Sequence, residues 1–511
     1  MTLARTLAVA LHGISGQLVE VETDISAGLP GLSFTGLGDV SVVESRDRIR
    51  AAIVNSGLDW PLRKITVALL PADVRKVGSR FDLATALALI AASGQVRADS
   101  VADAVWIAEL GLDGRLRPVP GVLPAVLAAE RAGVRRVVVS TANAAEAALV
   151  NGVDVRAATD LREIVGWLRG ESAAPAVAVR DMDTGTERGS EVDLADVAGQ
   201  AAAKRALEIA AAGGHHLFLL GSPGAGKTML AERLPSLLPE LDDAAALEVT
   251  AVHSVAGQLG RQAQLVRRPP LQAPHHTASV AALVGGGSHL ARPGAISLAH
   301  HGVLFLDESP EFARGALDAL RQPLESGAVV LHRGGGVVTY PARFQLVLAA
   351  NPCPCGSRAG DCSCPPQARR RYLQRLSGPL LDRVDLRVFV DPVTHGDLFD
   401  PAAARESSAQ VASRVVAARA VAAQRWQGTG WRLNGQVPGG VLRSARWALG
   451  RADIAPAETF LQRGQISARG LDRVLRLAWT IADLGGHRVP DAGDVTEALF
   501  FRTGRSDSWA A

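Results

Sequence analysis

GGHHLFLLGSPGAGKTML, residues 213–230, joins an apolar run at 217–220 to a glycine-rich turn that ends in Lys227 and Thr228. Gly221, Gly226, Lys227 and Thr228 fit G-x-x-x-x-G-K-[ST], a pattern in which glycines let backbone N–H groups close around phosphate oxygens. Lys227 adds a point charge, and Thr228 offers a hydroxyl to Mg²⁺. The loop Gly221, Ser222, Pro223, Gly224, Ala225, Gly226, Lys227 and Thr228 is therefore read as the ATP-binding segment. A helix starting near Thr228 would turn its positive end toward the phosphates.

A second nucleotide signature is HGVLFLDES, residues 301–309, where four apolar residues lead into Asp307 and Glu308. Acids at a strand's end suit a metal site: Asp307 can hold Mg²⁺, and Glu308 can orient and deprotonate a water. A third apolar strand, 344–350, ends in Asn351.

All four cysteines lie close together, at Cys353, Cys355, Cys362 and Cys364. Two C-x-C pairs in a Gly- and Pro-rich loop can present four thiolates tetrahedrally to Zn²⁺. A redox pair, or thiols without a ligand, is the competing reading, since C-x-C is tighter than the usual knuckle spacing.

The 511 residues suffice for about three domains, and 48% hydrophobic residues can fill several cores. No apolar stretch is long enough to span a bilayer and the N-terminal residues do not fit a signal peptide, so a cytoplasmic protein with no membrane partner is expected. A net charge of +3 neither demands nor excludes nucleic acid.

In chain order, residues 1–170 alternate strand and helix patterns, with strands at 17–22 and 64–69 and helices at 40–55, 81–92 and 121–132. Residues 171–192 gain Ser, Thr, Gly, Pro and charge and read as a linker. The nucleotide core follows at 193–400, and 401–511 is periodic and Ala-rich, hence helical. The core carries a His-bearing insertion at 267–300, for which packing or loop contacts are favoured over metal because acidic and cysteine partners are not close in sequence. Contacts to phosphate stand beside packing and loop contacts as readings of that insertion's histidines. The core also carries a β-hairpin at 326–344 with His332 and Arg333 near its tip, read as DNA-binding against the alternative of a surface hairpin. Arg369, Arg370 and Arg371 beside Tyr372 suit nucleic acid or a subunit interface.

Two stretches, RKVGSRFDLATALAL and LDGRLRPVPGVLPAVLAAERAGVRRVVV, resemble the proteolytic domain of Lon. The resemblance puts Gly78 or Ser79 near that family's serine and Leu123 at its lysine, so no base remains to activate a hydroxyl. Together with VAGQAAAKRALEIAAAGGHHLFLLGSPGAGKTMLAERLP, APHHTASVAALVGGGS, RPGAISLAHHGVLFLDESPEF and AANPCPCG, the chain resembles the YifB/ComM family of magnesium-chelatase-like AAA+ ATPases over nearly all its length. The acidic motif reads DESPEF where that family often has DELPEF.

The resemblance implies an α/β fold: an AAA+ P-loop NTPase core with an α-helical lid, preceded by a Lon-protease-like α/β domain lacking the catalytic dyad. It also implies a homo-hexameric ring that uses ATP to move on DNA, as a helicase or branch-migration translocase in uptake and recombination. In that frame Asn351 contacts the γ-phosphate or the attacking water, Arg383 reaches a neighbouring subunit's ATP, and Arg469 serves the site from the lid. Lys227, Asp307 and Glu308 complete the catalytic set. The alternative is a chelatase-like ATPase that remodels a protein partner.

Overall fold

The computed structural model describes residues 2–36, 38, 40–177, 192–260, 263–287, 291–333, 336–356, 362–399 and 405–504. Its first sheet is built from β1 (Thr2–His12), β2 (Ser15–Ser26), β3 (Gly31–Thr35), β4 (Lys64–Leu70), β5 (Ala104–Ile107), β6 (Arg136–Ser140), β7 (Asp154–Ala158) and β8 (Ala176–Val177). The strand order is β8-β7-β6-β5-β1-β2-β4-β3. β1 and β2 form an antiparallel hairpin, whereas β5, β6 and β7 run parallel. On β2, Val19, Val21, Thr23 and Ile25 point inward in the period-2 pattern of a strand with one buried face. Helix Asp82–Ala92 is buried at every residue, which is why DLATALALIAA lacks a polar stripe.

The second sheet holds β9 (Leu217–Gly221), β10 (Leu271–Gln272), β11 (Val303–Leu306), β12 (Gln345–Ala350) and β13 (Leu386–Val390). All pairings are parallel, in the order β10-β11-β12-β9-β13. Helices cover both faces of such a sheet, so β9 and β11 read as continuous apolar runs and every residue of them is buried. The chain leaves β9 for one side of the sheet and returns to β13 on the other. In open parallel sheets such a switch is where ligands bind, beyond the C-terminal ends of the strands, here β9 and β12.

Helices Ser408–Arg425, Arg451–Gln462, Ala468–Gly485 and Ala492–Thr503 complete the chain. Their apolar faces share one core with β9 and helix Ala201–Gly213. Trp426, Trp447 and Trp479 pack there, with ring centroids 4.7 Å apart for Trp426–Trp447 and 5.7 Å for Trp447–Trp479.

The two sheets are joined through packed helices and by backbone and side-chain hydrogen bonds. Helix Asp243–Ala256 lies against helix Val122–Arg131, and Leu123 and Val126 share an apolar cluster with Leu247 and Ala251. Gly121 N–H donates to the Ser254 carbonyl at 3.0 Å, and the Ser254 hydroxyl donates to the buried Glu146 carboxylate. At Gly13, in the turn between β1 and β2, a Cβ would lie 2.4 Å from the Thr339 carbonyl oxygen of the second unit's hairpin.

Candidate nucleotide site and cysteine loop

Three strand ends bring the sequence's nucleotide signatures together. β9 ends at Gly221, where a Cβ would stand 2.4 Å from the Val390 carbonyl oxygen, so the close approach of β13 excludes any side chain. Gly224 and Gly226 hold φ of +75° and +93°, and the helix Lys227–Leu237 starts directly after them. Lys227 Nζ donates to the Gly221 carbonyl at 2.7 Å, the Ser222 carbonyl at 2.9 Å and Asn351 Oδ1 at 3.0 Å. Burial lowers its pKa, opposed by Asp307 and Glu308. Thr228 Oγ1 donates to Asp307 Oδ2 at 2.7 Å. Lys227, Thr228, Asp307 and Asn351 thus form one cluster across β9, β11 and β12.

The loop also fits a phosphate. Ser222 Oγ is buried without a hydrogen-bond partner, and a lysine ammonium with only carbonyl and amide oxygens to bind is poised for anionic oxygens. Thr228 and Asp307, already in contact, are an oxygen pair of the kind that holds Mg²⁺.

Glu308 takes a left-handed backbone at φ +48°, and its N–H donates to Asp307 Oδ1 at 2.8 Å. Its carboxylate leaves the cluster: Glu308 Oε2 lies 3.0 Å from Nδ1 of His276, in the insertion that follows β10. Sequence spacing had not linked these residues. Gln200, also at positive φ, was missed as well; its amide donates to the Ala225 carbonyl at 3.2 Å and the Asp391 carbonyl at 2.5 Å, joining the phosphate loop to the end of β13.

The sulfurs of Cys353, Cys355, Cys362 and Cys364 all lie within 4.8 Å of one another. Cys353 is buried 2 residues beyond Asn351, and Gly356 approaches the Pro223 ring of the phosphate loop. Four thiols converging in this way suit Zn²⁺. Glu248, His300 and His301 also cluster, but His300 Nδ1 accepts the Arg343 N–H at 3.0 Å. Its proton therefore sits on Nε2, which donates to Glu248 at 3.1 Å and offers no lone pair to a metal.

Three matches span the chain: residues 21–143 to "Subunit ChlI of Mg-chelatase", 193–398 to "Magnesium chelatase, subunit ChlI", and 405–502 to "Magnesium chelatase, subunit ChlI C-terminal". An uncharacterized protein of Mycobacterium tuberculosis is 52% identical, covering 98% of this chain and 99% of its own. YifB of Escherichia coli is 42% identical over 98% of this chain and 97% of its own, and competence protein ComM of Haemophilus influenzae is 42% identical over 98% of each. The chain belongs to the YifB/ComM family of magnesium-chelatase-like proteins.

In this YifB/ComM chain Arg383 does not meet the Lys227 cluster of its own molecule. Its guanidinium donates to the Pro379 carbonyl at 2.5 Å and pairs with Glu325. Arg469 is exposed on the first turn of Ala468–Gly485, while Arg473, one turn on, donates to Asp385 Oδ1 at 2.6 Å. Buried Asp385 also faces His215 Nδ1 at 3.3 Å, and the opposite nitrogen of His215 lies 2.8 Å from Thr480 Oγ1. This network fastens the core to the C-terminal helices. His332 is exposed on the hairpin strand Ala328–Arg333, whereas the Arg333 side chain lies outside the described residues.

In the N-terminal unit the Ser79 hydroxyl donates to Glu109, and Leu123 is buried in the apolar cluster beneath helix Asp243–Ala256. Buried Arg80 reaches the turn before Leu123, donating to the Pro120 carbonyl at 3.0 Å, and Asn143 and Glu146 bond to Val119 and to the Leu123 N–H. No transmembrane helix candidate occurs among the described residues.

Proposed function

We propose that this chain is a ring-forming AAA+ ATPase, a homo-hexamer that hydrolyses ATP to move on DNA as a helicase or branch-migration translocase. The observation that carries the reading is the meeting of Lys227, Thr228, Asp307 and Asn351 at three adjacent strand ends, with Glu308 beside them. Backbone N–H groups of residues 221–228 would bind the phosphates, and Lys227 would leave its carbonyl partners to neutralise charge on them. Thr228 and Asp307 would hold Mg²⁺, which supplies charge neutralisation at the transferring phosphoryl group. Glu308 would take a proton from the attacking water, and Asn351 would orient that water or the γ-phosphate. Arg383 would act on a neighbour's ATP, which requires it to leave Glu325, and Arg469 would act from the helical lid formed by the C-terminal helices. The four cysteines would hold Zn²⁺, bracing the segment after Asn351 against the phosphate loop.

DNA is the proposed track because one relative is named a competence protein and His332 is exposed on a hairpin whose Arg333 adds charge. Uptake and recombination are the matching processes. The N-terminal unit is read as a Lon-like fold without peptidase chemistry, since Leu123 supplies no base. A second reading, remodelling of a protein partner, is favoured by the chelatase-subunit matches. The test is ATPase rate against single-stranded, duplex and forked DNA at two salt concentrations, with Glu308→Gln as control. Salt-weakened stimulation that is absent in the control supports the DNA motor; ATPase activity indifferent to every DNA supports the protein-partner reading.

A further inference from the structure

The ends of β11 and β12 are tied by a hydrogen bond that the nucleotide chemistry above does not use. Their ladder runs out with Leu306 opposite Leu348. Ser309, directly after Glu308, reaches one residue farther along β12: it is 0% exposed, and its hydroxyl donates to the Ala349 carbonyl at 2.8 Å. Ala349 stands 2 residues before Asn351. The bond therefore lies between the acid pair at one strand end and the amide at the other.

Glu308 needs such a hold. Its φ of +48° and ψ of 41° are left-handed, a conformation that residues with a Cβ keep only where their surroundings impose it. On one side its N–H donates to Asp307 Oδ1 at 2.8 Å, and on the other its carbonyl accepts the Glu311 N–H at 2.7 Å. The turn Ser309–Glu311 is also fastened from outside. Arg375 donates to the Pro310 carbonyl at 3.3 Å and to Glu311 at 2.8 Å, but this ion pair is open to solvent and holds weakly. The Ser309 hydroxyl is buried, with no water to compete for it, and is the firmer tie.

We propose that Ser309 is a positioning residue for hydrolysis, acting through Glu308: its hydroxyl fixes the main chain of the base at a set spacing from Asn351, so that a carboxylate and an amide carried on different strands reach one water. The proposal rests on the ATPase reading above. A general base works within hydrogen-bond reach of the proton it takes, and a misplacement of about 1 Å can cost about 100-fold in rate. Without the hydroxyl the left-handed residue is free to relax, which turns its Cα–Cβ bond and moves the carboxylate. The described hydrogen bonds of the Lys227 and Thr228 side chains go to the loop carbonyls, Asn351 and Asp307 and not to Ser309. Nucleotide binding should therefore survive the loss, and the effect falls on turnover.

The test uses the full chain, with and without forked DNA, and compares wild type, Ser309→Ala, Glu308→Gln and the double variant. Steady-state hydrolysis of Mg·ATP gives kcat, and equilibrium binding of a non-hydrolysable ATP analogue reads the phosphate loop separately. Expected for Ser309→Ala is a fall in kcat of about tenfold, with analogue affinity within about twofold of wild type. In the Glu308→Gln background the same change should alter residual turnover, followed by release of labelled phosphate, by less than about twofold, since the base it positions is gone. A merely structural lesion would lower both backgrounds alike and weaken analogue binding. In a wild type whose turnover depends on Glu308, three results overturn the positioning role and leave the ATPase reading standing: unchanged kcat in Ser309→Ala, an equal fall in both backgrounds, or a fall matched by lost analogue binding. Absence of Glu308-dependent turnover in the wild type, with and without DNA, overturns the ATPase reading and the proposal with it.

Discussion

Asp385→Asn tests how the C-terminal helices are fastened to the core. Asp385 is 2% exposed and begins the turn into β13, where it receives Arg473 at 2.6 Å, His215 at 3.3 Å and the His216 N–H at 3.3 Å. Arg473 and the two histidines hold its pKa well below the carboxylate range against the opposing effect of burial. The sign follows directly: a depressed acid stabilises the fold at every pH above its unfolded value near 4, and the contribution is lost only as pH falls toward the folded value. At neutral pH the substitution removes the charge and puts an amide where a carboxylate accepted. Breaking a buried pair typically costs about 3–5 kcal/mol. Arg473 keeps 19% of its side chain exposed and can recover some hydration, so the lower end, about 3 kcal/mol, is expected. Hydrogen exchange at pH 7 should then show protection in Ala468–Gly485 falling about 100-fold, with β1 and β2 unchanged. A fall of less than about tenfold, or an equal loss in the first sheet, would refute the idea that Asp385 locally clasps helix to core.

Lys227→Ala should lower ATP hydrolysis by about 100-fold or more, checked by phosphate release, because the ammonium sits on the loop's own carbonyls and Asn351, where phosphate charge would be neutralised. Zinc should copurify at one ion per chain by elemental analysis and fall sharply in Cys353→Ser, whose sulfur is 3.0 Å from Cys355 and 3.3 Å from Cys362. His216, whose Nδ1 accepts the Leu346 N–H at 3.0 Å, is pushed down to about 4, chiefly by burial. The fold therefore resists its protonation, and stability is lost as pH drops below the unfolded value of about 6.5 toward 4. Between pH 7 and 5 wild type should lose about 2 kcal/mol more than His216→Asn, read from urea unfolding of the core; parallel pH dependence in the two proteins would count against it.

What the sequence made legible was local. The turn 221–228, the run 303–306 before two acids and the strand before Asn351 each carry their pattern within a dozen residues, and β9, β11 and β12 form where those patterns lie. Helix Val40–Asn55 and the hairpin were readable for the same reason, since periodicity and a glycine turn are properties of one segment. Partners across the fold were not. Gln200 meets Ala225 and Asp391, and Asp385 meets His215 and Arg473, through a chain path that periodicity does not encode. The same holds for His276, read from the sequence for phosphate, packing or loop contacts, which meets Glu308 just past the end of β11. In the Lon-like stretches the resemblance drew attention to Gly78 or Ser79, yet it is the next side chain, buried Arg80, that reaches the Pro120 carbonyl, a distinction set by which way the short helix Ser79–Phe81 turns.

The contact between helices Val122–Arg131 and Asp243–Ala256 has a consequence for cleavage of the chain. Leu123 and Val126 on one side share an apolar cluster with Leu247 and Ala251 on the other, and the buried Glu146 carboxylate receives Ser254 across the same contact. A protease cut anywhere in 178–191 would sever the polypeptide without severing that interface. The two pieces should co-elute on gel filtration, whereas either piece made alone would carry an uncovered apolar face into water and be prone to aggregate.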